Sequence, residues 1–258
     1  PSIQTRLHLW VEPARQVLSL KLAEVRVIDE ENQDLPRFSI LRITGSLFSP
    51  SAVSFAWDSE LGNLVLRQQG VENGLTEYLS NGQRSSAMNG QGALEKRSAW
   101  GELASYVPVG FDHIVPKGLD HILFVLGLFF LTLRISALLW QISAFTLAHT
   151  VTLAAGAMGW VTISGSIVEP LIAASIVFVA VENIFSQKLH RWRPALIFGF
   201  GLLHGLGFAS VLQEFGLPDG QFIAALIGFN IGVEIGQITV IACAFLLLGA
   251  WFGNKPWY

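Results

Sequence analysis

Charge is scarce in this chain, and cysteine is almost missing. Asp, Glu, Lys and Arg make up 14% of 258 residues, 52% are hydrophobic, and the mean hydropathy is +0.51. Soluble domains carry roughly a quarter of their residues charged, so the composition points to a membrane protein. The single cysteine, Cys243, excludes an intrachain disulfide and leaves the redox compartment open. The net charge of −3 gives no invitation to nucleic acid. No Walker-type phosphate loop is found, which argues against ATP coupling within this chain. There is no signal peptide either, and numbering opens at Pro1. The expectation is a leader already removed, or a fragment.

What charge there is lies mostly in residues 1–106. Stretches such as "RLHLWVE", "QVLSLKLAEVRVID", "RFSILRITGSL" and "AVSFAWD" alternate apolar and polar residues, with turn-formers between them. They predict a small extracytoplasmic β-sandwich-like domain, short of strands at its N-terminus. The polar, glycine-rich "LSNGQRSSAMNGQGA" reads as a loop or a hairpin. No acids, histidines or cysteines cluster here, so the domain is assigned no chemistry.

Residues 107–258 are almost continuously apolar and predict a polytopic helical membrane domain of five or more spans. The helices are expected at about 119–133, 137–161, 167–185, 194–212 and 222–252, the first with room to extend backward. Most are long enough for a hydrocarbon core of roughly 30 Å. Arg134, then Lys188, Arg191 and Arg193, then Lys255 fall in alternate connections, whereas "GWVTISGS" and "QEFGLPDG" carry no Lys or Arg. Basic connections stay cytoplasmic, with Lys117 the single residue against. This predicts a bacterial inner-membrane protein with its N-terminal domain outside and its C-terminus inside.

Ionisable groups within the apolar runs are few: Asp120 and His121, His149, Glu182, His204 and Glu234. A charge at a helix centre costs about 2.5–3.5 kcal/mol on insertion scales, so these groups must face one another, water or an ion. At about 1.5 Å per residue, His149, His204 and Glu234 fall near mid-membrane, with Asp120 and His121 above and Glu182 below. Thr146 shares a helical face with His149, as Asn230 does with Glu234 and Gln237. Gly228, Gly232 and Gly236 repeat every four residues and Gly201 and Gly205 bracket His204, a spacing that lets helices approach closely. Imidazole with carboxylate suits a divalent transition ion such as nickel, cobalt or zinc. Each group also has a plainer reading: Asp120 as a helix cap, Glu234 with Asn230 as a polar clamp, and Glu182-Asn183 meeting Lys188 or Arg191.

The stretches "GFDHIVPKGLDHILFVLGLFFL", "AFTLAHTVTLA", "VEPLIAASIVFVAVENIF", "FGFGLLHGLGFASVL" and "GFNIGVEIGQ", in this order, resemble the HupE/UreJ family. The likeness is to its second branch, in which a soluble N-terminal domain precedes the helices. It implies uptake of nickel or cobalt and a further helix beyond Tyr258. His113 stands ahead of Asp120-His121 with six residues between, where the best-known branch has five, and only His204-Gly205 remains of a longer histidine-glycine motif.

Three functions follow. In the first, a permease, His113, Asp120 and His121 capture the ion, His149, His204 and Glu234 hold it at mid-membrane, and Glu182 releases it. Asn183, Thr146, Asn230 and Gln237 support that path. The second is an intramembrane zinc hydrolase, with Glu234 or Glu182 activating water. The third is a non-catalytic anchor presenting the β-domain to an extracytoplasmic protein.

Overall fold

The computed structural model describes residues 6–12, 21–28, 38–44, 51–62, 64–71, 74–94, 98–185, 192–215 and 221–249. The chain divides into two compact units, residues 1–96 and 97–258. The unit boundary falls ahead of the expected division at residue 107.

The first unit is antiparallel β-structure in three sheets among the described residues. Strands β1 (Leu7–Glu12), β4 (Ala52–Trp57), β7 (Met88–Asn89) and β8 (Gly92–Ala93) form one sheet in that order. β2 (Lys21–Ile28) pairs with β3 (Phe38–Thr44), and β5 (Leu64–Arg67) with β6 (Thr76–Leu79). The alternation in the sequence sets the register: β1 and β4 pair Leu9 with Phe55 and Val11 with Val53 on one face, where Val53 is buried. The glycine-rich stretch contains the short β7–β8 hairpin, with Asn89 opposite Gly92. Arg84 lies over the Trp10 ring and pairs with Glu12, tying this hairpin's approach to β1.

The second unit is helical: α1 (Ala99–Ile114), α2 (Leu119–Leu131), α3 (Ile135–Ala157), α4 (Gly165–Phe185), α5 (Arg193–Phe215) and α6 (Phe222–Ala244), extended by a wider π-type turn, Phe245–Gly249. All five expected helices are present, but the expected five spans are not all supported. By length and apolar composition three helices among the described residues suit a span: α3, α4, and α6 with its extension. A fourth is available if α1 and α2, bent by 74° at their junction, count as one broken span. Alone, the 13 residues of α2 reach about 20 Å, short of a roughly 30 Å core.

Helix α1 was not expected as a separate element. Ser98 caps it by accepting from the Gly101 amide at 3.1 Å, and Glu102, Tyr106, Gly110 and Ile114 form one buried face at four-residue spacing. Pro108 and the polar residues mask that pattern in the sequence.

Two backbone approaches fix the bundle. On α6, a Cβ at Gly232 would strike the Val107 carbonyl and the Phe111 amide of α1. On α5, a Cβ at Gly205 would strike the His149 carbonyl and Thr152 of α3. The four-residue glycine spacing is therefore used as read: it presses α6 onto α1 and α5 onto α3. The core between them is Phe- and Leu-rich, including Phe124, Leu128, Phe145, Ile197 and Phe229. The opposite face of α4, with Val177, Phe178, Val181 and Ile184, is left apolar and uncovered, a surface suited to acyl chains.

Candidate metal centre

The α1–α2 bend and the α3–α5 contact bring five sequence-selected residues together. His113 ends α1, Asp120 and His121 open α2, His149 sits mid-α3, and His204 lies on α5 beside Gly205. His121, His149 and His204 are buried to within 2% of full coverage, while the Asp120 side chain keeps 38% of its surface open.

Their geometry resolves into two groups that share one residue. His113, His121 and His149 each offer a ligand atom within 4.8 Å of the others, and so do Asp120, His121 and His204. The ring centres of His121 lie 4.8 Å from His113, 5.7 Å from His149 and 4.9 Å from His204.

Hydrogen bonds settle which nitrogens are free. The Ser175 hydroxyl on α4 donates to the Ile172 carbonyl at 2.6 Å, so its oxygen accepts the proton of His204 Nε2 at 3.2 Å. That leaves the His204 Nδ1 lone pair, 3.7 Å from Asp120 Oδ2. His121 Nδ1 donates to Asp120 Oδ1 at 3.1 Å, which leaves its Nε2 lone pair. A partner fixing the tautomer is the arrangement that orients metal-ligating histidines.

Among the described residues, each histidine of the cluster keeps a ring nitrogen without a hydrogen-bond partner: His113 Nε2, His121 Nε2, His204 Nδ1 and one nitrogen of His149, whose other nitrogen is left to the Asn230 side chain. Buried polar atoms are ordinarily satisfied, and four imidazoles facing one another with a bare nitrogen each are a donor set able to hold a cation. The walls are aromatic. Phe208 lies 4.0 Å from the His113 ring centre and Phe145 5.7 Å from that of His121, while Phe145 and Phe229 stack near His149. A low-dielectric lining strengthens each ion–ligand contact.

Of the other expected residues, Asn230 reaches the cluster, where its side chain meets His149, and the rest lie elsewhere. Glu234 accepts from Ser143 at 2.6 Å and is not grouped with the histidines. Thr146 donates to Gln237 at 3.0 Å, while Asn230 donates to the Leu226 carbonyl of its own helix at 2.8 Å. These residues form a seam between α3 and α6. Glu182 pairs with Arg193 at 2.9 Å; Lys188 and Arg191, its expected partners, lie outside the described residues. Arg193 Nη2 also donates to Asn183 at 3.5 Å, and Arg193 itself is buried rather than in a basic loop. Ser175 and Arg193 were missed. The signal for Ser175 was a lone hydroxyl among apolar residues in "AASIVF".

Four imidazoles and one carboxylate, gathered among helices several of which are long and apolar enough to cross a membrane, make up side-chain groups able to hold a metal ion. The chain belongs to the HupE/UreJ family: the family model described as HupE / UreJ protein matches residues 89–258. It is a family of nickel and cobalt transporters. Comparison with curated proteins found no match, and no solved structure matches.

Proposed function

We propose that this chain is a permease for a divalent transition-metal ion, nickel or cobalt, which it passes between the two histidine groups. The observation that carries this reading is the set of four histidines on four helices, each with a buried ring nitrogen left without a partner among the described residues. Nitrogen-rich donors with a single carboxylate favour nickel, cobalt or zinc over calcium or magnesium.

The ion meets Asp120 first, because this side chain alone in the cluster combines negative charge with open surface. It is held by Asp120, His121 and His204. His121 then hands it to His113 and His149, so one imidazole keeps contact throughout the transfer. Three ligands at each position hold the ion loosely enough to release it, as conduction requires. Glu182 lies on the way out. In this reading the mouth faces the outer side of a bacterial inner membrane, the basic connections face the cytoplasm, and the β-unit stands outside, available to a protein partner.

The hydrolase reading asks for a carboxylate placed to activate a metal-bound water. Glu234 is engaged by Ser143 and Glu182 by Arg193, which favours the permease. Uptake of radiolabelled nickel or cobalt by cells making the protein, lost in Asp120→Ala and His204→Ala, is the expected result. One retained zinc ion with no accumulation in cells would refute transport.

A further inference from the structure

A second polar cluster lies away from the histidines. Along α3, Gln141 is about 12 Å from His149, and along α5 Arg193 is about 16 Å from His204, both toward the same end of the helical unit. There the Arg193 side chain is 1% exposed and that of Glu182 10%. Arg193 Nη1 lies 2.9 Å from Glu182 Oε2, Nε donates to Gln141 Oε1 at 3.1 Å, and Nη2 donates to Asn183 Oδ1 at 3.5 Å. Asn183 is itself anchored, its amide donating to the Gly127 carbonyl of α2 at 2.6 Å. Thus α3 and α4 surround a guanidinium from α5 with one carboxylate and two amide oxygens, and α2 holds one of these in place.

A buried ion pair is a poor source of stability, since desolvation offsets much of its attraction. An oxygen-lined pocket occupied by a tethered cation has another use. Among the described residues Glu182 Oε1 receives no hydrogen bond and Oε2 meets only the Arg193 guanidinium, so a cation that displaced Arg193 would find both oxygens available. Oxygen donors grip nickel or cobalt less firmly than imidazole does, which suits release.

We propose that Glu182, Gln141 and Asn183 form a second cation site that Arg193 keeps filled, and that a transported ion leaves the helical unit by displacing this guanidinium. The exit step rests on the permease reading; the site itself does not. Arg193 is the closing element. Its charge bars a second cation until one arrives from the histidines with enough local attraction to move the side chain aside.

Equilibrium dialysis of the purified full chain against cobalt chloride, with cobalt counted per chain, tests the site. Arg193→Gln is expected to bind one more cobalt than the unaltered protein, and adding Glu182→Gln is expected to remove that gain. Uptake into liposomes tests the path independently of whether Arg193→Gln folds. Glu182→Gln should slow cobalt entry about tenfold while cobalt per chain stays unchanged, and Glu182→Asp should recover part of the rate. A merely structural clamp would lower bound cobalt and uptake together. A folded Arg193→Gln protein with no extra cobalt, or Glu182→Gln uptake at the unaltered rate, overturns the proposal. An extra cobalt in Arg193→Gln beside unaltered protein that transports nothing keeps the site and removes the permease reading.

Discussion

The Ser175 oxygen accepts the Nε2 proton of His204 at 3.2 Å, and this contact decides which face of the imidazole can hold an ion. Ser175 is itself fixed, its proton committed to the Ile172 carbonyl. The serine thus holds His204 with Nδ1 toward Asp120 without touching the cation position.

Replacing Ser175 by Ala removes the acceptor and frees the ring to take either tautomer. Loss of such an outer partner typically weakens metal binding about 10–100-fold. Cobalt affinity of Ser175→Ala should fall within that range, and the imidazole N–H left without its buried acceptor should lower thermal stability by about 1–3 kcal/mol. Unchanged affinity would mean that the tautomer is set by something else.

The glycine contacts give a prediction about stability alone. Gly232→Ala drives a methyl into the α1 backbone, and overpacking of this kind costs about 1–3 kcal/mol. Gly199, by contrast, leaves open space within 4 Å of where an alanine methyl would sit, so Gly199→Ala should be neutral or stabilising by up to about 1 kcal/mol. Thermal unfolding in detergent compares the two. Equal melting temperatures would remove the close-packing account of α1 and α6.

Glu234 separates the reading of the sequence from the geometry. On a helical wheel Glu234 lines up with Asn230 and Gln237, which suggested a ligand at mid-membrane. In the fold Ser143 of α3 holds it through a 2.6 Å hydrogen bond, and Thr146 and Gln237 make the neighbouring contact. Glu234→Gln keeps an oxygen that can accept from Ser143, so cobalt per chain should not change. A lost ion would restore Glu234 to the ligand set.

The difference between Glu234 and His204 shows what a sequence carries. Buried charge is visible one residue at a time, because an ionisable group in an apolar run is costly wherever its helix lies. Hence His121, His149 and His204 were found as ionisable groups within apolar runs, and glycine spacing marked helix faces able to approach closely. Partners are another matter. Ser143 meets Glu234 across 91 positions of sequence and Gln141 meets Arg193 across 52, distances that only the packing of helices closes. Arg193 misled for the same reason: beside Lys188 and Arg191 it reads as loop charge, and only the fold turns it inward. Helix α1 hid behind Pro108 and its polar residues, and with it the bend that delivers His113.

The shared position of His121 makes the sharpest prediction. If the two groups are alternate seats for one ion, His149→Ala removes a ligand from only one of them, and Asp120, His121 and His204 still offer three. His149→Ala should keep one cobalt per chain but lose uptake. His121→Ala strips both seats to two ligands, and affinity should fall about a hundredfold or more, roughly 2.8 kcal/mol at 1.4 kcal/mol per tenfold. The visible spectrum of bound cobalt reads ligand number and geometry directly, so His149→Ala should retain a spectrum and His121→Ala should not. Similar losses of cobalt from both variants would mean a single site needing all four histidines at once, and the hand-over through His121 would fall.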